Sequence, residues 1–241
     1  MKISALRGSG TIILITWMRR HPKTVHKKAN DPPEWKNLNG FANGAASRTT
    51  INKKHYMEII LMRHGKPTYT GFPKVTSAEM IDWIAQYDLS DTGSDTPPGA
   101  SKLLASSASK IVSSPLPRAI SSLKALGRDP DIIDGVFREA ELPVSRIPAL
   151  RLSPLNWAIF FRIMWLCGLS RKVERFRMAK KRAVKAADLL NSLAKNANGP
   201  VLLLGHGIMN RLIAKELIAS GWKEHCHPGK EYWSAGIYKF L

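Results

Sequence analysis

The chain has 241 residues and is 44% hydrophobic, enough apolar material for a real core, which excludes wholesale disorder. A net charge of +19 and an isoelectric point near 10.2 favour anionic partners: phosphorylated small molecules, nucleic acid or acidic membrane surfaces. Only two cysteines occur, Cys167 and Cys226, so no disulfide framework is encoded, and a reducing, cytoplasmic compartment is the simpler expectation.

Residues 1–56 carry eleven Lys or Arg against two acids, Asp31 and Glu34, with little periodic structure. They read as a basic, disordered extension of a folded domain that opens at Met57 and runs to residue 241. The apolar run "TIILITWM" (11–18) is short of the ~20 residues a membrane helix needs, and "RRHPK" follows it where a signal peptide would place a cleavage site.

From Met57 the pattern becomes orderly. "MEIILM" (57–62) is expected as a buried strand, 77–88 and 99–108 as helices, and "KIVSS" (110–114) as a short strand. Residues 115–127 read as a helix with proline in the first turn and glycine after the end, and 131–139 as a further β-like run. A long amphipathic helix is expected over 170–199, then the strand 201–205, a helix over 208–221 and a last strand over 233–241. Such alternation implies an α/β sheet covered by helices on both faces. The apolar stretch 155–169 breaks the alternation; it reads as a buried or capping helix, and an exposed version would make a homodimer surface or a weak membrane contact.

The residues that carry chemistry sit where strands end. His64 follows the strand 57–62 and His206 follows 201–205, so both should face the crevice at the carboxyl edge of the sheet. Arg63 accompanies the first histidine. Arg118 stands in the first turn of the helix after "KIVSS", where an anion is already favoured. The run 131–139 brings Glu139 or Glu141 to the same rim. Two guanidinium forks and a second histidine around one imidazole suit a dianionic phosphate. A neutral imidazole could then attack phosphorus, the cations stabilising the charge, while a carboxylic acid protonates the departing alkoxide. Nothing in this logic calls for a metal or another cofactor, and no ligand cluster of zinc-site spacing is present in the sequence.

Four segments in this order, "LMRHGKP" (61–67), "SSPLPRAISS" (113–122), "FREAELP" (137–143) and "LLLGHG" (202–207), resemble the histidine phosphatase superfamily, also called phosphoglycerate mutase-like. The resemblance covers 57–241. It implies a three-layer α/β/α sandwich with a mostly parallel central sheet, a metal-independent phosphoric monoester hydrolase and a phosphohistidine intermediate on His64. Arg63, Arg118 and His206 would complete the phosphate pocket, and Glu139 would donate the proton, with Glu141 and Asp134 as alternatives. The chain departs from the mutase-like pattern after the first motif, reading Lys66-Pro67-Thr68-Tyr69, and lacks the "G-x-W-E-G" stretch, carrying "LPVSRIP" (142–148) instead. Both departures favour a phosphatase over a phosphoglycerate-type mutase.

Substrate choice would rest with the insertion 143–176 over the pocket. Its Trp157, Phe160, Phe161 and Trp165 could suit a phosphate ester with an apolar body, or could simply roof the core. A rival reading keeps the pocket but not the turnover: a non-catalytic binder of a phosphorylated ligand. Nucleic acid is not the expected partner, because the basic helix segment 171–187 lacks any accompanying recognition module.

Overall fold

Strand β1 (Met57–Arg63) lies inside the sheet with core packed on both faces, which is why Ile59 to Met62 are apolar without interruption. The structure, a computed structural model, describes residues 57–71, 73–170 and 173–240; the extension expected over 1–56 lies outside them. After β1 come β2 (Val75–Thr76), α1 (Glu79–Leu89), α2 (Gly99–Ser107), β3 (Lys110–Ser113), α3 (Pro117–Ala125) and β4 (Ile132–Ile133). Then follow β5 (Arg151–Leu152), α4 (Pro154–Leu166), α5 (Phe176–Asn196), β6 (Val201–Gly205), α6 (Gly207–Ala219), β7 (Lys223–Cys226) and β8 (Ala235–Phe240).

The main sheet has the order β4-β3-β6-β1-β8-β7. Its first four strands run parallel, β8 is antiparallel to β1, and β7 pairs antiparallel with β8. Alternate residues serve opposite layers. Ile59 and Leu61 of β1 pack with Leu203, with α5 and with Met209, Ile213 and Leu217 of α6, whereas Ile60 and Met62 meet Leu204, Leu104 of α2 and Leu123 of α3. Burying each such side chain contributes about 1.5–3 kcal/mol relative to exposing it. The result is the expected three-layer α/β/α architecture around a mixed, largely parallel sheet. Helix α5 approaches the sheet through a stripe of alanines, Ala179, Ala183, Ala186 and Ala187, continued by Leu190 and Ala194.

Two of the expected elements need correction. The β-like run 131–139 pairs with β3 only at Ile132 and Ile133, because Asp134 then accepts from the Val136 amide and starts a 3-10 turn over Gly135–Phe137. Glu139 therefore stands in a loop and does not end a strand. The long helix begins at Phe176, not at 170: the Glu174 amide donates to Glu141, and its carbonyl accepts from the Trp165 indole. Strand β7, with the largely exposed sequence KEHC, escapes an apolar search, as does the two-residue pair β2-β5.

The apolar segment 155–169 is the buried, capping helix expected of it, and only its aromatics as a substrate surface need correction. It forms α4, capped by the Ser153 hydroxyl, but two faces of it differ. Trp157, Phe161 and Trp165 are completely buried: the first two pack on Met80 of α1, and Trp165 joins the main core. The aromatic side chains offered above as a substrate surface are thus interior, with Phe160 half-exposed. Leu155, Ile159, Ile163 and Leu166 form an exposed stripe on the other side.

Candidate active site

Sheet register explains how distant motifs meet. Arg63 is paired with Gly205 and Ser113 with Leu204, so the next residue of each strand, His64, His206 and Ser114, emerges at one edge. The His64 amide donates to the Gly205 carbonyl at 3.1 Å, which ties the two histidine loops together. The imidazole centroids lie 5.0 Å apart.

His64 is buried, and its Nδ1 lies 2.7 Å from the Gly65 carbonyl. A carbonyl only accepts, so Nδ1 carries the proton and Nε2 keeps its lone pair. Burial lowers the His64 pKa well below the usual value; the Arg118 charge lowers it further, the Gly65 bond opposes this, and Arg63 adds to the lowering. His206 is held by a 2.7 Å hydrogen bond between its Nε2 and the Ser114 hydroxyl. Its pKa is also well below normal, first through burial, then through His64, Arg118, Arg63 and Arg182. Both rings are accordingly neutral at ordinary pH.

The two arginines are fixed in matching ways. Arg63 donates from Nη1 to the Lys230 carbonyl at 2.6 Å and lies 4.3 Å above the Tyr232 ring. Arg118, at 1% exposure, donates to the Tyr87 carbonyl at 3.2 Å, pairs with Asp88 at 3.1 Å and lies 4.7 Å above the Tyr87 ring. Carbonyl and ring hold each guanidinium rigid, and the buried Nε of each has no partner among the described residues.

The three candidate carboxylates occupy different places. Glu139 accepts from the Ile208 and Met209 amides at 3.1 and 3.0 Å, in the first turn of α6 beside His206. There the helix dipole and the free amides favour an anion. Glu141 instead accepts from the Glu174 amide at 2.9 Å, and Asp134 caps its own turn. Glu139 is thus the one of the three that touches the helix carrying the second histidine.

Several side chains at the site were not singled out from the sequence. The Ser122 hydroxyl accepts from the Gly65 amide at 2.8 Å and donates to the Arg118 carbonyl at 2.6 Å, linking the two arginine-bearing segments. A Cβ on Gly65 would stand 2.3 Å from the Trp233 ring, so glycine is required there by close approach. Trp233, at φ 63°, donates its amide to the His64 carbonyl at 3.3 Å and its indole to Asp95 at 2.8 Å, while Asp95 also accepts from the Lys66 amide at 2.5 Å. Tyr87 lies within electrostatic reach of Arg118, Tyr232, Arg63 and Glu139; burial pushes its phenol up to about 12, against the pull of Arg118. Ser114 and Ser122 lie in the "SSPLPRAISS" segment already noted, whereas only the tertiary fold brings Tyr87, Tyr232, Asp95 and Trp233 in. No group of three or more His, Cys, Asp or Glu placed to hold a metal ion occurs among the described residues. No helix among the described residues is long and apolar enough to cross a membrane.

A family model, histidine phosphatase superfamily (branch 1), matches residues 59–229, and the chain belongs to that family. The superfamily takes its name from phosphatases. Among solved structures, the chain is similar to a phosphoglycerate mutase from Bacillus anthracis (17% identity, 77% of this chain and 88% of that one, TM-score 0.47). It is also similar to a phosphoserine phosphatase from Entamoeba histolytica, solved with 3-phosphoglyceric acid (15%, 76% and 90%, 0.41). A third is the ecdysone phosphate phosphatase of Bombix mori, solved with tungstate (14%, 75% and 88%, 0.42). No curated protein matches the chain.

Proposed function

We propose that the protein is a phosphatase that hydrolyses a small phosphate monoester through a phosphohistidine on His64. The observation that carries this reading is the state of the His64 ring: buried, neutral, locked in one tautomer by the Gly65 carbonyl, and within the field of both Arg63 and Arg118.

In the first step the Nε2 lone pair forms a nitrogen–phosphorus bond as the phosphorus–oxygen bond to the alcohol breaks. Arg63, Arg118 and His206 hold the phosphoryl oxygens, and the alkoxide leaves with a proton from Glu139 in its acid form. Proton donation requires Glu139 to give up part of its contact with the α6 amides, and those amides are then open to a phosphoryl oxygen. In the second step Glu139 takes a proton from water, whose oxygen attacks phosphorus. The bond to His64 breaks, releasing inorganic phosphate and restoring both side chains. Burial and then the Coulomb field of the two fixed guanidiniums keep the free ring unprotonated, so its lone pair is available for attack, and that field stabilises the negative charge on the phosphoryl oxygens.

The test is release of inorganic phosphate from p-nitrophenyl phosphate by the full-length protein in EDTA, beside His64→Ala. Chelator-resistant turnover that is lost in the variant supports the reading, as does a phosphoramidate signal in 31P spectra. Turnover equal in both proteins overturns it, and phosphoryl transfer to an acceptor without release would make the enzyme a mutase.

A further inference from the structure

We propose that the ester this site takes has an aromatic body, seated on a row of three rings, Tyr69, Trp83 and Tyr87, that leads away from the Arg118 guanidinium. The inference rests on the phosphatase reading for its phosphate end, and on separate observations for its aromatic end.

The row starts at the phosphate pocket. Arg118 lies over the Tyr87 face at 4.7 Å; Tyr87 stacks on Trp83 at 5.0 Å and 16°; and Trp83 meets Tyr69 at 5.9 Å and 47°. On the other flank Tyr232 stands 5.7 Å from the His64 ring and under Arg63. A phosphate held between the two guanidiniums would therefore have a tyrosine ring on either flank, with the Trp83 and Tyr69 rings beyond Tyr87.

Tyr69, Trp83, Tyr87 and Tyr232 are half-buried, in contrast with the sealed Trp157, Phe161 and Trp165. Trp83 packs on the Met80–Trp157–Phe161 cluster, so the middle of the row is held firm from behind while the rings keep accessible area. Flat, pre-positioned rings with exposed area bind another ring at little entropic cost.

The charges point the same way. Beyond the pocket pair, two further guanidiniums exert a field on site groups: Arg162 on Glu139 and Arg182 on His206. Arg162 donates to the Ala140 and Glu141 carbonyls, and Arg182 grips Glu174 with two nitrogens while donating to the Val136 and Arg138 carbonyls. Neither offers a free fork to a second acidic group on the substrate. Near the row, Asp88 is already bound to Arg118, and its carboxylate would repel such a group.

The experiment titrates full-length protein with 1-naphthylmethylphosphonate, cyclohexylmethylphosphonate and methylphosphonate by calorimetry, and measures kcat/KM for the corresponding phosphate esters. The naphthyl phosphonate should bind at least about tenfold more tightly than the methyl compound, and more tightly than the cyclohexyl one. Trp83→Ala should cut that ratio roughly fivefold, and Tyr69→Ala, in the loop after β1, supplies the same test should loss of the indole unfold the protein. Equal affinities for the three phosphonates, or a ratio untouched by both variants, overturn the proposal. Aromatic preference in binding without hydrolysis of any ester would sustain it while sinking the phosphatase reading. Hydrolysis of all three esters at equal kcat/KM would do the reverse.

Discussion

Gly65 and Gly207 follow the two site histidines in the same way, yet the structure assigns them opposite tolerances. An added Cβ at Gly65 would stand 2.3 Å from one atom of the Trp233 ring and 2.6 Å from another. Reaching an ordinary contact requires the indole to retreat by about 1 Å, and overpacking of this size costs about 1–3 kcal/mol. The retreat also strains the indole's 2.8 Å bond to Asp95, worth about another 1 kcal/mol. For a domain of this size each kcal/mol lowers Tm by about 2–4 °C, so Gly65→Ala should melt on the order of 5–10 °C below the wild type. Because the Trp233 amide holds the His64 carbonyl, displacement of order 1 Å should also reduce kcat/KM roughly a hundredfold. At Gly207 the nearest atom to a new Cβ is Arg63 Nε at 3.7 Å, an ordinary contact, so the Tm of Gly207→Ala should stay within about 2 °C of the wild type. Differential scanning calorimetry of both variants decides the matter: equal Tm values would refute the claim that close packing on Trp233, and not motif membership, demands the first glycine.

The two histidines predict a pH dependence of stability. Their folded pKa values lie below the unfolded value of about 6.5, so the unfolded chain binds more protons in acid; their contribution is complete above about pH 6.5 and is lost as pH falls, by up to about 1.4 kcal/mol per unit for each. Urea unfolding at pH 7.5 and 5.5 should show that decline, shallower in His206→Gln, and a flat wild-type profile would contradict it. Trp157→Ala should cost about 3–5 kcal/mol in the same assay, since the side chain is fully buried and its indole donates to the Val75 carbonyl; a loss below about 1 kcal/mol would show that α4 does not roof the core. Ser122→Ala strips the Gly65 amide of its acceptor and should destabilise by about 1–3 kcal/mol, with unchanged unfolding curves counting against that hydrogen bond.

How much of this was readable beforehand depended on the kind of signal. Strands β1 and β6, buried on both faces, carry continuous apolar runs, so His64 and His206 could be placed at their ends and at one edge of the sheet. Glu139 could be named but not placed, because a short Asp134 turn, not a strand, delivers it to α6. For the cap aromatics two readings stood open, a substrate surface and a roof over the core; burial makes Trp157, Phe161 and Trp165 core, and composition does not record which side of α4 meets Met80. Tyr87 and Tyr232 left no trace in the sequence; a tyrosine beneath an arginine is a relation between α1 and α3, or between the loop before β8 and β1, that local spacing does not encode.

The position of β1 has a consequence for how the chain is born. Its two neighbours in the sheet, β6 and β8, are made long after it: Ile59 must wait for Val201 on one side and Tyr238 on the other. At about 5–20 residues per second of synthesis, an apolar strand with two unsatisfied edges is left waiting for on the order of ten seconds or more. The Lys230 carbonyl that holds Arg63, and the Gly205 carbonyl that takes the His64 amide, arrive only with those late segments. A nascent chain that has not yet made β8 should therefore lack the assembled histidine–arginine site altogether and should be a client for holding chaperones.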